Sequence, residues 1–368
     1  MMSYITSIGI AVPDNRFAQS EIGKFMVNAM QLDYENSRKL QAIFRSSGIS
    51  QRYSVLDDYG KEKDFTFYPN TSDFEPFPST EKRLALYQQH AVKLSTAAIK
   101  DCVGKLAGFN LKSVTHLIVV SCTGMYAPGL DIELVQHLGL RHDVQRLSIN
   151  FMGCYAAFNG IKAGDAFCKA DPEAVVLVVC VELCSIHFQK QATEDNMLAN
   201  ALFADGASAL IMQTNPAQGI NLVPAAFHNA LSFTKEPQMA WRVGNAGFEM
   251  KLTSYVPDII QSGIKKLTDE MLLKIKKNFN AIKHFAIHPG GKKILEAIEN
   301  KLGISKDDNQ HAYTVLNQYG NMSSPTVLFV LHHLLSGLTS KNNGEDVLSF
   351  AFGPGLTLES ILFTIQYA

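Results

Sequence analysis

The sequence carries no charge excess of either sign, no long apolar run and no paired cysteine motif. Its 368 residues hold 33 Lys and Arg against 34 Asp and Glu. Nucleic-acid binding needs a concentrated basic face, so this balance argues against nucleic acid as the main partner. No apolar stretch approaches the ~18 residues of a membrane-spanning helix. The opening "MMSYITSIGIAVPDN" has no basic leader, and its apolar part reads as a strand ending at Pro13 rather than as a signal peptide. The six cysteines show neither a CxxC pair nor zinc-type spacing. A chain of this size without a secretory signal does not need disulfides, which points to reduced thiols, a cytoplasmic protein and no metal site. A Walker-type phosphate loop and a strand-following GxGxxG are both absent, so nucleotide, nicotinamide and flavin chemistry have no motif to rest on.

What is present is a core-forming pattern, 46% hydrophobic, long enough for one large domain or two fused halves. Apolar β-branched runs alternate with helical stretches, which predicts an α/β fold with a mostly parallel sheet. Strands are expected at 115–122, 174–183, 284–288 and 346–353, and helices at 81–105, 155–170, 255–277 and 291–302. The polar, proline-punctuated 60–80 reads as a loop. The separation of Cys122 from His288 nearly equals that of Cys154 from Asn321, and a hairpin-like "LFADGASALIM" (202–212) is echoed by "FAFGPGLTLESILF" (350–363). These echoes suggest an internal duplication, with halves at 1–214 and 215–368 related by a pseudo-twofold axis.

In "NFMGCYAAFNGIKAG", Cys154 lies between a strand and a small-residue helix start, where a helix dipole favours thiolate. Taken alone, a cysteine there reads more readily as a core thiol than as a nucleophile. His288 ends a strand before "PGG", at the sheet edge where α/β proteins place their sites. Asn321 precedes an apolar helix in "GNMSS"; alone, it reads as an N-cap. If the halves face one another, the three converge: a thiolate paired with imidazolium for attack on a thioester, and two donors for an oxyanion or enolate.

With "MGCYAAFNGIKAG", "ALFADGASAL", "IHPGGKKIL", "YGNMSSPTVLF" and "FGPGLTLES" in this order, the sequence resembles the type III polyketide synthases, the chalcone synthase-like branch of the thiolase fold. The resemblance covers most of the chain. It implies αβαβα layers and an acyltransferase that extends a starter acyl-CoA with malonyl-CoA, then cyclises the chain to a pyrone, resorcinol or phloroglucinol-type product. It also implies a homodimer and no cofactor besides the CoA thioesters themselves. Cys154 becomes the acyl carrier, His288 and Asn321 the decarboxylation pair, and Phe203 and Met250 the gatekeepers. Cys122, Trp241, His187, Ser323, Gly353, Pro354 and Gly355 become pocket residues.

Departures from the plant pattern are specific. Ala351 replaces a glycine, Met250 a phenylalanine, Trp241 a glycine, Cys122 a threonine and Ala127 a methionine that reaches the neighbouring subunit. Tryptophan at 241 resembles bacterial members. Together these favour an aliphatic starter running into a side tunnel near Cys122. Of the family's basic CoA-binding positions only Lys39 matches, the others falling on Ala42 and Ser46, with Arg38, Arg45 and Arg52 as candidate substitutes. Two rivals remain: a β-ketoacyl-acyl-carrier-protein synthase III making one condensation, and a non-catalytic thiolase-fold subunit.

Overall fold

Strands and helices alternate along the chain in the order the apolar pattern indicates. The computed structural model describes residues 2–233 and 235–368. The chain begins with β1 (Tyr4–Ala11), β2 (Asn15–Ala18), α1 (Gln19–Ala29), α2 (Tyr34–Ser46), β3 (Gln51–Ser54) and the long α3 (Thr80–Val103). There follow β4 (His116–Ser121), α4 (Leu130–Leu138), β5 (Gln145–Asn150), α5 (Ala156–Ala170), β6 (Val175–Leu183), α6 (Glu194–Leu202) and β7 (Asp205–Gln213). Next come β8 (Ile220–Leu231), β9 (Met239–Gly244), β10 (Gly247–Leu252), α7 (Val256–Lys274), β11 (His284–Ile287) and α8 (Lys292–Leu302). The chain closes with α9 (Gln310–Tyr319), α10 (Thr326–Leu335), β12 (Asp346–Gly353) and β13 (Thr357–Tyr367).

Among the described residues the main sheet has nine strands, in the order β11-β12-β13-β8-β1-β7-β6-β4-β5. Read outward from the β1–β8 junction, the wings repeat one pairing pattern. β1 and β8 pair antiparallel with β7 and β13; these pair antiparallel with β6 and β12, which pair parallel with β4 and β11. Helix α5 packs on β4 and β6 of one wing and touches β13 of the other, while α10 touches β1, β7 and β11. Both helices therefore lie between the wings, with α3 outside one and α7 outside the other, giving the αβαβα layers.

Two expectations are corrected. The sheet is mixed, with parallel pairing only at β4–β5, β4–β6 and β11–β12 among the described residues. Strands such as β6 (VVLVVCVEL) are buried on both faces because helices cover both, and that reads as parallel pairing whatever the strand direction. The stretch 202–212 is no hairpin: it passes from the end of α6 into the single strand β7, whereas β12 and β13 do form one. No helix is long and apolar enough to cross a membrane among the described residues.

The 60–80 loop is fastened at one buried carboxylate. Asp58 accepts hydrogen bonds from the Thr66 N–H at 2.7 Å, the Thr66 hydroxyl at 2.8 Å, and the Phe67 and Tyr68 N–H groups at 2.9 Å. Phe65, Tyr68 and Phe74 then pack around Phe25 of α1. Replacing Asp58 by Ala removes the buried acceptor shared by these four donors, so we expect about 3 kcal/mol loss of unfolding free energy. Urea denaturation checks it; a loss below about 1 kcal/mol would mean that the aromatic cluster holds the loop unaided.

Candidate active site

The nucleophile turn is built from backbone that side chains rarely allow. Between β5 and α5 the chain passes through Phe151 at φ 58° and Gly153 at φ 83°. A Cβ on Gly153 would sit 2.6 Å from Pro354 Cδ, and one on Gly353 would sit 2.5 Å from the Tyr155 ring. The Gly353–Pro354–Gly355 loop thus packs directly on this turn and leaves Cys154 only 5% exposed.

Asn321 arrives from the other wing. Its N–H donates to Leu202 O at 2.9 Å and its carbonyl accepts from Ala204 N–H at 2.9 Å, an isolated parallel bridge flanking Phe203. Its side-chain oxygen accepts from the Ser323 N–H at 2.8 Å, which fixes the amide orientation and leaves Nδ2 with only a 3.4 Å contact to Gly290 O. Asn321 does not cap α10, whose N-cap is Pro325. Cys154 Sγ lies 3.9 Å from Asn321 Oδ1. His288 directly follows β11, its N–H donating to Phe350 O at 2.8 Å. Its imidazole is 1% exposed, and neither ring nitrogen has a hydrogen-bond partner among the described residues. Buried polar groups without partners are rare in folded proteins and ask for a reason; reaction chemistry supplies one.

Burial dominates the electrostatics. It pushes the Cys154 thiol up to about 11 and pulls His288 down to about 3. The expected resting thiolate–imidazolium pair is therefore corrected: burial favours a neutral thiol and a neutral imidazole, and no hydrogen bond joins the two. Cys154 precedes the α5 N-cap, Tyr155, and the helix dipole there is outweighed by desolvation.

Around this centre lies a cavity of about 330 Å³, lined by Cys122, Cys154, Phe203, Trp241, Met250, Ser323 and Pro354 among others. Trp241 and Met250 face each other across the β9–β10 ribbon, and the indole N–H donates to Cys122 O at 2.6 Å. His187 lines an adjoining cavity of about 430 Å³ that shares Cys184, Phe203, Trp241 and Met250. It stacks on Phe248 at 4.3 Å with Trp241 edge-on to both rings, so the indole stands as a wall between the two spaces. Sequence reasoning missed Glu182, the one charge in the apolar run of β6. Its buried carboxylate accepts from the Cys122 N–H at 3.0 Å, the Thr123 hydroxyl at 2.7 Å and the Ser324 hydroxyl at 2.6 Å.

A cleft of about 940 Å³ opens on the far side of α6, lined by Lys39, Ile43 and Ser46 of α2 and by Gly290, Gly291, Lys292 and Lys293. Two of the candidate CoA contacts do not line this cleft. Arg45 is exposed on another face of α2, since the cleft-facing positions follow the helical spacing 39, 43, 46. Arg52 is 3% exposed and committed inward. Lys292 and Lys293 went unassigned; two lysines directly after Gly-Gly at a helix start were the available signal.

Family models for the chalcone and stilbene synthases match residues 2–216 with the N-terminal domain and 226–365 with the C-terminal domain. "Probable polyketide synthase 1" of Dictyostelium discoideum is 33% identical over 97% of this chain, which spans only 11% of that protein. "Alpha-pyrone synthesis polyketide synthase-like Pks18" of Mycobacterium tuberculosis is 31% identical, covering 91% of this chain and 84% of its own. The crystal structure of the C-terminal type III polyketide synthase domain of Steely1, a type I/III hybrid from Dictyostelium, superposes with a TM-score of 0.90 at 30% identity over 99% of both chains. With both halves matched by family models, the chain belongs to the chalcone and stilbene synthases, the type III polyketide synthases, acyltransferase-type enzymes with the thiolase-like fold.

Proposed function

We propose that the protein loads a starter acyl-CoA on Cys154 and extends it iteratively with malonyl-CoA before cyclising the product. The observations that carry this reading are the Cys154–Asn321 contact and a buried His288 whose nitrogens are both uncommitted. In loading, His288 takes the Sγ proton as sulfur attacks the thioester carbonyl, then returns it to the departing CoA thiolate. In extension, malonyl-CoA loses CO2 and its thioester oxygen becomes an enolate. Asn321 Nδ2 and the imidazole N–H hold that oxygen, and the enolate carbon attacks the acyl carbonyl on Cys154, breaking its C–S bond and releasing the Cys154 thiolate, which the lengthened CoA thioester can reload with loss of CoA. A neutral amide suits this task, because a carboxylate would repel the enolate and a dry site strengthens each donor.

The starter we propose is aliphatic. Trp241 walls off the cavity at Cys154 from its neighbour, so a long chain requires the β9–β10 ribbon to move. An α-pyrone is the product class we favour, supported by the name of the mycobacterial relative. We also propose a homodimer through β5. This edge strand pairs only with β4 and is solvent-facing along nearly its whole length, with Met125, Leu147 and Met152 exposed nearby.

Mass spectrometry of products from acyl-CoAs of rising length with malonyl-CoA is the decisive assay. Multiply extended, cyclised products are expected, none with Cys154→Ala, and rates at least ~10²-fold lower with His288→Ala or Asn321→Ala. A single condensation from a carrier-protein substrate would transfer the reading to a β-ketoacyl-acyl-carrier-protein synthase III.

Thiol alkylation separates the two residues' roles. Burial disfavours thiolate, so removing the base in His288→Ala should leave Cys154 unreactive at neutral pH, its labelling rising only as pH climbs toward about 11. Equal labelling of wild type and variant at pH 7, read by peptide mapping, would remove His288 as the base.

For the dimer, sedimentation of the wild type should give two copies. Ser148→Pro, which disrupts edge pairing within β5, should give one. An active wild-type monomer overturns the interface.

A further inference from the structure

We infer that Arg52 is a positioning residue: it clamps the C-terminal end of α6 so that the Phe203 gate and the Asn321 amide are held in one frame. The inference rests on the decarboxylating role proposed for Asn321.

The argument starts from unsatisfied carbonyls. A helix ends with carbonyls that lack intrahelical donors, and α6 ends at Leu202 inside the protein. Three consecutive carbonyls there each find a different donor. Gln19 Nε2 donates to Ala201 O at 2.8 Å, the Asn321 N–H donates to Leu202 O at 2.9 Å, and Arg52 Nη1 donates to Phe203 O. Arg52 Nε also donates to Gln19 Oε1 at 2.8 Å, so the guanidinium organises two of the three contacts and places a cation at the negative end of the helix. The remaining donor, Asn321, belongs to the reacting centre, and its carbonyl returns the bridge by accepting from Ala204 N–H.

The fit around the guanidinium is tight. Gly320 has φ 71°, and a Cβ there would lie 2.9 Å from Arg52 Cγ and Cδ and 3.0 Å from Leu202 O. Any displacement of the Arg52 stem therefore meets the residue preceding Asn321. The same segment separates the spaces that a substrate must cross: Leu202 lines the outer cleft and Phe203 lines both inner cavities. Burial pulls Arg52 down to about 10, so it keeps its charge at neutral pH. Its placement also explains why it cannot serve as the CoA contact that its sequence position suggested.

The test is Arg52→Gln in steady-state malonyl-CoA decarboxylation, with Lys39→Ala as the comparison for a cleft contact. We expect Arg52→Gln to lower kcat tenfold or more while KM stays within twofold, and Arg52→Lys to recover part of kcat by reaching one carbonyl. Combined with Asn321→Ala, Arg52→Gln should add no further loss, because it acts through that amide. A raised KM with unchanged kcat would make Arg52 a substrate contact and overturn the inference, as would a wild-type rate or full additivity. Hydrogen exchange gives a readout independent of turnover: the amides of Ala204 and Asn321 should exchange faster in Arg52→Gln, and unchanged exchange overturns the clamp. If the wild type itself fails to decarboxylate malonyl-CoA, the proposed function falls, and the exchange result alone decides the clamp. Should Arg52→Gln not fold, Gln19→Leu removes one leg of the same clamp and should lower kcat in the same direction; a wild-type kcat overturns it.

Discussion

A carboxylate with no solvent around it sits where the two wings of the sheet meet. Glu182 ends β6 in one wing and accepts hydrogen bonds from the start of the 122–124 segment and from Ser324, which belongs to the other wing. Burial raises its pKa while those donors pull the other way. An uncompensated buried charge costs several kcal/mol, so the donors must stay in place. That requirement fixes Cys122 and the 321–324 turn relative to one another, and Asn321 and Ser323 are carried with the turn. Ser323 lies 3.5 Å from Cys122 Sγ, on the cavity side of the same cluster. The 122–124 segment and the Asn321 turn are therefore held together by satisfying one buried group.

The same exclusion of water decides how the reacting groups behave. In a wet site a thiol at a helix start ionises readily, and the sequence alone favours that outcome. Here both members of the pair are buried, and desolvation keeps each neutral until one can hand its proton to the other. An enolate formed there meets donors that have no competing water.

Much of this was legible beforehand, and the misses have causes. The strands at 115–122, 174–183, 284–288 and 346–353 and the four long helices were readable because burial on one or both faces imposes a hydrophobic period. Cys154, His288 and Asn321 stood out through the glycines and prolines that shape the backbone around them. Strand direction was not legible, since helices cover antiparallel and parallel strands of this sheet alike and both read as unbroken apolar runs. Arg52 and Arg45 were misassigned because charge suggests solvent and phosphate, whereas one guanidinium satisfies buried carbonyls and the other points off the cleft. Glu182 was visible as a lone acid in an apolar strand, but its partners lie across the molecule and no local spacing announces them.

The two wings share a pairing pattern yet contribute unlike chemistry. In the first, the turn before the central helix carries a thiol in a strained backbone packed under Pro354 of the second wing. In the second, the turn before α10 carries an amide whose oxygen accepts from the Ser323 N–H and lies 3.9 Å from Cys154 Sγ. A nucleophile at both turns would set two thiols side by side, with nothing to stabilise an enolate. Two amides would leave nothing to carry the acyl chain. A repeated scaffold thus brings two equivalent helix starts to one point, and divergence in what each presents turns that meeting into an acyl-transfer site.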